Sequence, residues 1–347
     1  MRLPLPIDRL DALLAAEIPG FVGPLTATQF SGGQSNPTYR LDTPSCSFVL
    51  RRKPPGDLLP RAHMIEREVQ VMRALAPTGF PVPAVRLLCE DPGVIGSAFY
   101  VMDHVDGRVA YDLRLPGWTP PARRALAEAL TDRLADLHLI DYRAIGLADF
   151  GREGGYISRQ IGTWTRAYRA SETVPIPELD RLIDWLPEAV ARLPDETALV
   201  HGDWRLDNAI LARDGSTIRA ILDWELSTLG HPLADLGYWL MTWRFPEGLR
   251  WGLATADLAA LGLPTLEALA ARYAVRTGRE AVPDLDLLIA YNAFRMAAIC
   301  QGVHARALQG NAADPRGARL GADVAPLARV AWDHALRAGA REERLCR

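Results

Sequence analysis

The stretch Leu199-Val-His-Gly-Asp-Trp-Arg-Leu-Asp-Asn-Ala-Ile210, followed by Ile218-Arg-Ala-Ile-Leu-Asp-Trp-Glu225, decides how this chain is read. Ala198–Val200 and Ile218–Leu222 are short apolar runs of strand character, and the polar residues between them form a loop. Asp203 follows the first strand through a His-Gly turn, a place that presents an exposed carboxylate. Asn208 stands five residues further on, and Asp223 ends the second apolar run. Phosphoryl transfer asks little covalent chemistry of a protein. It needs a carboxylate to orient the acceptor hydroxyl and oxygen ligands for Mg2+ on the phosphates. Mg2+ prefers hard oxygens and usually takes only one or two carboxylates beside phosphate. An amide oxygen from Asn208 and a carboxylate from Asp223 meet that demand.

His201-Gly-Asp-x-x-x-x-Asn208 followed by Leu222-Asp-Trp-Glu225 resembles the aminoglycoside phosphotransferase and choline kinase-like family. The layout is similar to that of protein kinases, with Gly202 where those carry Arg and Trp224-Glu225 where they carry Phe-Gly. Gly230-His-Pro-Leu-Ala-Asp235 strengthens the likeness. The resemblance implies Asp203 as catalytic base, Asn208 and Asp223 as metal ligands, and ATP with Mg2+ as cofactors. It also implies an α+β, bilobal protein-kinase-like fold with a small β-rich N-lobe and a larger helical C-lobe. His201 and Asp235 read as groups that brace the loop, since buried polar groups are hydrogen-bonded. Arg205 and Asp207 lie inside the loop, where either can touch the acceptor or close a salt bridge. Arg205 is a candidate catalytic residue beside Asp203.

Upstream, the pattern is strand-rich. Thr38–Leu41 and Ser47–Arg51 read as strands, residues 62–76 have helical period, and Ala84–Cys89 and Ala98–Asp103 read as further strands. Ser31-Gly-Gly-Gln-Ser-Asn-Pro-Thr-Tyr39 lies between two strands, and its small residues let backbone N–H groups approach phosphate. Gly32, Gly33, Ser35 and Asn36 are therefore nucleotide-binding candidates. Kinase-like folds place a cation on the third strand, paired with a helix glutamate. Arg51 occupies that place and Lys53 is the alternative; arginine is no innocent substitute for lysine there. Of Glu66 and Glu68, only Glu68 falls in the apolar arc of Ala62, Ile65, Val69, Met72 and Leu75, so it is the expected partner. Phe99-Tyr-Val-Met-Asp-His-Val-Asp-Gly107 resembles the hinge between lobes, with backbone groups near Met102 and His104 at the adenine edge.

Past residue 120 the pattern turns helical, with candidates over 121–140, 156–170, 179–193, 232–243, 264–277, 284–309 and 324–340. The expected domains are 1–104, an N-lobe with the nucleotide-binding sheet, and 105–347, a helical C-lobe with the catalytic loop and acceptor site.

Further stretches narrow the resemblance. Gly33-Gln-Ser-Asn-Pro-Thr-Tyr39, Val49-Leu-Arg-Arg-Lys-Pro-Pro-Gly56, Asp223-Trp-Glu-Leu-Ser-Thr-Leu-Gly230 and Phe294-Arg-Met-Ala-Ala-Ile-Cys-Gln-Gly-Val303 are similar to the kinase-like domain fused to acyl-CoA dehydrogenases. That branch implies hydroxyacyl acceptors, among them hydroxyacyl-CoA thioesters. No dehydrogenase pattern is present. Arg159, Arg295 and Arg306 are candidate anchors for CoA phosphates, as are the tail arginines Arg337, Arg341, Arg344 and Arg347. Trp164, Tyr168 and Trp243 could line an acyl pocket, but core packing is the leading reading for any one of them. Two rivals stay open: a kinase-like nucleotide binder without turnover, and a kinase of an aminoglycoside or choline-like alcohol.

Composition sets the outer bounds. With 347 residues, 49% hydrophobic and 23% charged, the chain is long enough for two cores. A net charge of −3 argues against coating nucleic acid, and no apolar run has bilayer length. Leu3 to Glu17 reads as a short amphipathic helix rather than a leader. Cys46, Cys89, Cys300 and Cys346 lack metal-ligand spacing, so a reducing, cytoplasmic setting is the default. The expected partner is a small-molecule acceptor, with no nucleic acid and no membrane. Oligomeric state is left open.

Overall fold

The computed structural model describes residues 5–30, 36–54, 64–215, 217–249, 252–309 and 319–341. In chain order the elements are α1 (Ile7–Glu17), β1 (Thr26–Gln29), β2 (Thr38–Asp42), β3 (Ser47–Arg52), α2 (Ile65–Leu75), β4 (Val85–Cys89), α3 (Pro92–Ile95) and β5 (Phe99–Asp103). They continue with α4 (Pro120–Leu139), α5 (Tyr156–Ser171), α6 (Pro177–Ala189), β6 (Ala198–Val200), β7 (Ala209–Leu211), β8 (Ile218–Ile221) and β9 (Thr228–Gly230). The last are α7 (Pro232–Leu240), α8 (Leu258–Leu261), α9 (Leu266–Arg276), α10 (Leu285–Leu308) and α11 (Gly321–Arg337). Two compact units result. One holds Met1–Val109, Ile145–Leu147 and Asn208–Ser227; the other holds Ala110–Ala144, Ala148–Asp207 and Thr228–Arg347. The chain thus passes from one unit to the other between Asp207 and Asn208.

The first unit is built on a five-stranded antiparallel sheet in the order β1-β2-β3-β5-β4. Side chains alternate across a strand. Tyr39 and Leu41 on β2, Phe48 and Leu50 on β3, and Phe99 and Val101 on β5 accordingly join Leu10 and Leu14 of α1 in one apolar cluster. Each such buried Leu or Phe contributes about 1.5–3 kcal/mol. The intervening residues Arg51 and Tyr100, paired in register across β3 and β5, take the other face. There they meet α2, whose buried side chains include Ile65, Glu68, Val69 and Met72. The hairpin of β7 and β8 belongs to the same unit and is tied to it by Ile221 N–H donating to Pro81 O at 2.8 Å.

The second unit is helical. α10 is buried on nearly every side from Leu287 to Ala298, which marks it as the central helix, and α5, α7 and α11 pack around it. α4 and α9 pair along a surface seam of Arg272–Asp132 and Arg276–Asp136, each at 2.6 Å. The strand pair β6-β9 brackets residues 201–227.

Four short elements differ from the sequence expectation. Asp91-Pro-Gly, read as a loop, starts the single-turn α3 because the Asp91 carboxylate caps Gly93 N–H at 2.7 Å. β7, β9 and α8 span only three or four residues, too few to show a period.

Candidate active site

In the sheet-based unit a guanidinium sits among three carboxylates. Arg51 Nη2 donates to Asp223 Oδ1 at 2.8 Å and to Glu225 Oε2 at 3.2 Å. Its Nε lies 3.3 Å from Glu68 Oε1, an ion-pair distance without hydrogen-bond geometry. Tyr100 Oη donates to the other Glu68 oxygen at 3.0 Å. Burial pushes the Glu68 carboxyl up, against the pull of Arg51, to a pKa of about 7. Burial works against the charge of Arg51 too, but Glu68 and its other anionic neighbours outweigh it and the guanidinium pKa rises. Lys53 takes the other helix acid, pairing with Glu66 at 2.5 Å.

Asp223 reaches this knot from a left-handed backbone, φ 65° and ψ 59°, rare for a residue with a side chain. Such strain persists only where neighbours over-determine it. Trp224 is fully buried, donates to Ile221 O at 3.1 Å and packs edge-on against Phe80. Leu222 N–H donates to Asn208 O at 2.8 Å, which ties the two oxygen donors Asn208 and Asp223 to neighbouring strands of one hairpin. Both donor types fit Mg2+. Asp223 already holds a positive group, the Arg51 guanidinium, so its position favours a cation.

In the helical unit, Asp235 on α7 braces the loop that follows β6. Its carboxylate accepts His201 N–H at 2.6 Å and Gly202 N–H at 2.9 Å, and His138 Nε2 lies 3.5 Å away. Burial alone would raise Asp235, but His138 and the His201 amide outweigh it and hold the pKa below the usual carboxylate range. His201 Nδ1 accepts Asp203 N–H at 3.2 Å, and its ring stands edge-on to Trp204. Gly202, at φ 83°, makes the turn that a Cβ would strain. Asp203 Oδ1 accepts the Tyr238 hydroxyl at 2.6 Å and lies 3.2 Å from Arg205 Nε; Arg205 Nη2 is 3.2 Å from Asp207. Beside it is a cavity of about 40 Å³, walled by Leu113, Trp204, Trp239, Met241, Phe245 and Met296, with Arg205, Asp207 and Tyr238 as polar neighbours.

The model of the phosphotransferase enzyme family matches residues 26–272. This chain belongs to that family. The phosphotransferase is 44% identical to mouse acyl-CoA dehydrogenase family member 10 over 322 residues, 92% of this chain but 30% of that protein. It therefore spans about a third of that curated relative. A solved structure described as an aminoglycoside phosphotransferase, from Ralstonia eutropha JMP134, is 42% identical, with a TM-score of 0.88 over 96% of this chain and 99% of that one. A thermostable mutant of aminoglycoside phosphotransferase APH(4)-Ia, solved with ADP and hygromycin B, shares the fold at 17% identity and a TM-score of 0.59, covering 95% of this chain and 98% of that one. The phosphotransferase has the kinase-like fold and phosphoryl transfer to a hydroxyl as its family chemistry.

Several sequence candidates fall elsewhere in this phosphotransferase. Gly32, Gly33 and Ser35 lie outside the described residues, as do Arg344 and Arg347. Asn36 is buried, and its carbonyl accepts Thr38 Oγ1 at 3.0 Å. Met102 is buried on β5, and the His104 N–H is committed to Ser47 O at 3.2 Å. Arg159 donates to the carbonyls of Arg152 and Gly154, and Arg295 to that of Gly202, so these two hold backbone. Trp164 and Trp243 spend their indole N–H groups on Gln160 and Pro264, and Tyr168 is fully buried; none lines the cavity. Sequence reading missed Tyr100, Glu225, Tyr238 and Trp239. Only Glu225 carried a signal, its place two residues after Asp223.

No described helix is long and apolar enough to cross a membrane.

Proposed function

We propose that this phosphotransferase moves the γ-phosphoryl group of ATP to the hydroxyl of a hydroxyacyl compound, with a hydroxyacyl-CoA thioester as the preferred form. Asp203 orients the acceptor hydroxyl and accepts its proton as the new oxygen–phosphorus bond forms and the bond to ADP breaks. Asn208 and Asp223 would hold Mg2+, which neutralises phosphate charge when bound. Arg51, set by Glu68, would bind phosphate oxygens with its planar fork.

The observation that carries the acceptor class is the wall beside Asp203. It is apolar on most sides, and the acid among its described lining residues, Asp207, is already paired with Arg205, which leaves little for a polycation. Its 40 Å³ is small beside the roughly 300–1,000 Å³ of ordinary ligand pockets. A flexible chain displacing Met241 and Met296 suits it better than rigid sugar rings. Trp204 Nε1–H is buried without a hydrogen-bond partner among the described residues, a donor suited to an acyl carbonyl oxygen. Likeness to the acyl-CoA dehydrogenase relative agrees with the same class. The test is ATP consumption across hydroxyacyl-CoAs, free hydroxy acids, aminoglycosides and choline. The hydroxyacyl group should give the highest kcat/KM; a higher value for an aminoglycoside overturns the assignment.

A further inference from the structure

One helix grips the catalytic loop twice. α7 carries Asp235, which takes the His201 and Gly202 amides, and one turn later Tyr238, whose hydroxyl donates to Asp203 Oδ1 at 2.6 Å. Tyr238 is itself held from behind. The buried Arg295 guanidinium of α10 lies 5.1 Å from the Tyr238 ring centroid and donates to Gly202 O at 2.8 Å. The backbone of the loop and its Asp203 carboxylate are thus fixed to α7 and α10, two helices of the core. Burial and the charge of Asp203 both push the Tyr238 phenol up, so it remains a donor. The same side chain also lines the cavity beside Arg205 and Asp207.

A carboxylate that steers a hydroxyl acts in one rotation about its Cβ–Cγ bond, and a misplacement of about 1 Å can cost 100-fold in rate. We propose that Tyr238 is a positioning residue for phosphoryl transfer: through its hydroxyl it sets the rotation of the Asp203 carboxylate that the acceptor meets. This rests on the kinase reading above.

The experiment is a double-mutant cycle on the full chain, Tyr238→Phe against Asp203→Asn, read in kcat and in KM. Tyr238→Phe should lower kcat about 10- to 100-fold, as expected for a hydrogen bond to a charged group, with KM for Mg-ATP changing by less than about threefold. On the Asp203→Asn background the same change should cost less than about twofold, because the oxygen it positions no longer acts as base. Equal losses on both backgrounds, or an active wild type that Tyr238→Phe leaves within twofold, overturn the proposal. A wild type that consumes no ATP with any acceptor sinks the kinase reading itself, and the positioning role with it. Should Tyr238→Phe lose its cooperative unfolding transition, 3-fluorotyrosine at 238 replaces it. A more acidic phenol then has to shift kcat, and an unchanged kcat overturns the role.

Discussion

Two carboxylate clusters, one in each unit, are held in opposite ways. Around Arg51, three carboxylates share one buried guanidinium, so the knot keeps an excess of negative charge. Around Asp203, one carboxylate receives a neutral phenol at 2.6 Å, while the nearby Arg205 also faces Asp207. The first arrangement suits a second cation: with three carboxylates on one guanidinium, Asp223 would keep negative charge available for Mg2+. The second suits a base, which needs fixing in place without a full counter-charge. The contrast teaches that a cation and a hydroxyl, both donors to carboxylate, are used for different ends.

The sharpest way to break this comparison is to remove the base. Asp203→Asn keeps size and polarity but cannot take the acceptor proton, and kcat should fall about 10²–10⁴-fold. Mg-ATP affinity, carried by the other knot, should stay within about threefold by the same separation of roles. Kinetics together with calorimetric nucleotide titration check it. A matching loss of nucleotide affinity would mean that the two halves do not divide the work.

Next in size is the knot itself. Arg51→Met leaves Glu68, only 1% exposed, without its cation. Breaking a buried ion pair from one side costs about 3–5 kcal/mol, and urea unfolding of the free protein should show it. Arg51→Lys keeps the charge but loses the planar fork that reaches Glu68 with Nε and both Asp223 and Glu225 with Nη2. It should raise KM for Mg-ATP about 10-fold or less, with little change in kcat.

These differences mark what the sequence could show. Asp203, Asn208 and Asp223 stand out because a loop between two short apolar strands fixes their spacing over 21 positions. Glu68 was distinguishable from Glu66 because a helix converts position into a face, and the structure puts Glu68 within reach of Arg51 and Glu66 against Lys53. Tyr238 and Arg295 were not legible as partners of the loop. They lie 35 and 92 residues past Asp203, and only packing of α7 and α10 brings them to it. Trp164, Tyr168 and Trp243 were ambiguous between pocket and core for a related reason. Any tryptophan on a helix face looks alike in sequence, and the indoles of Trp164 and Trp243 were already spent on Gln160 and Pro264.

The finest test of the contrast uses pH. Glu68 has a pKa of about 7 in the folded chain against an ordinary 4.5, so between those values the folded state binds more protons than the unfolded one. Stability contributed by protonated Glu68 is therefore fully present below 4.5 and is lost as pH rises through about 7. Glu68→Gln cannot titrate, and Gln can still accept from Tyr100. The wild-type stability should fall relative to Glu68→Gln by roughly 1–3 kcal/mol across that window, then stay level above it. Parallel urea unfolding series of the two proteins measure the difference directly, because every other titrating group cancels between them. If the two curves run parallel, the carboxyl is charged throughout and the knot holds it as an ordinary ion pair.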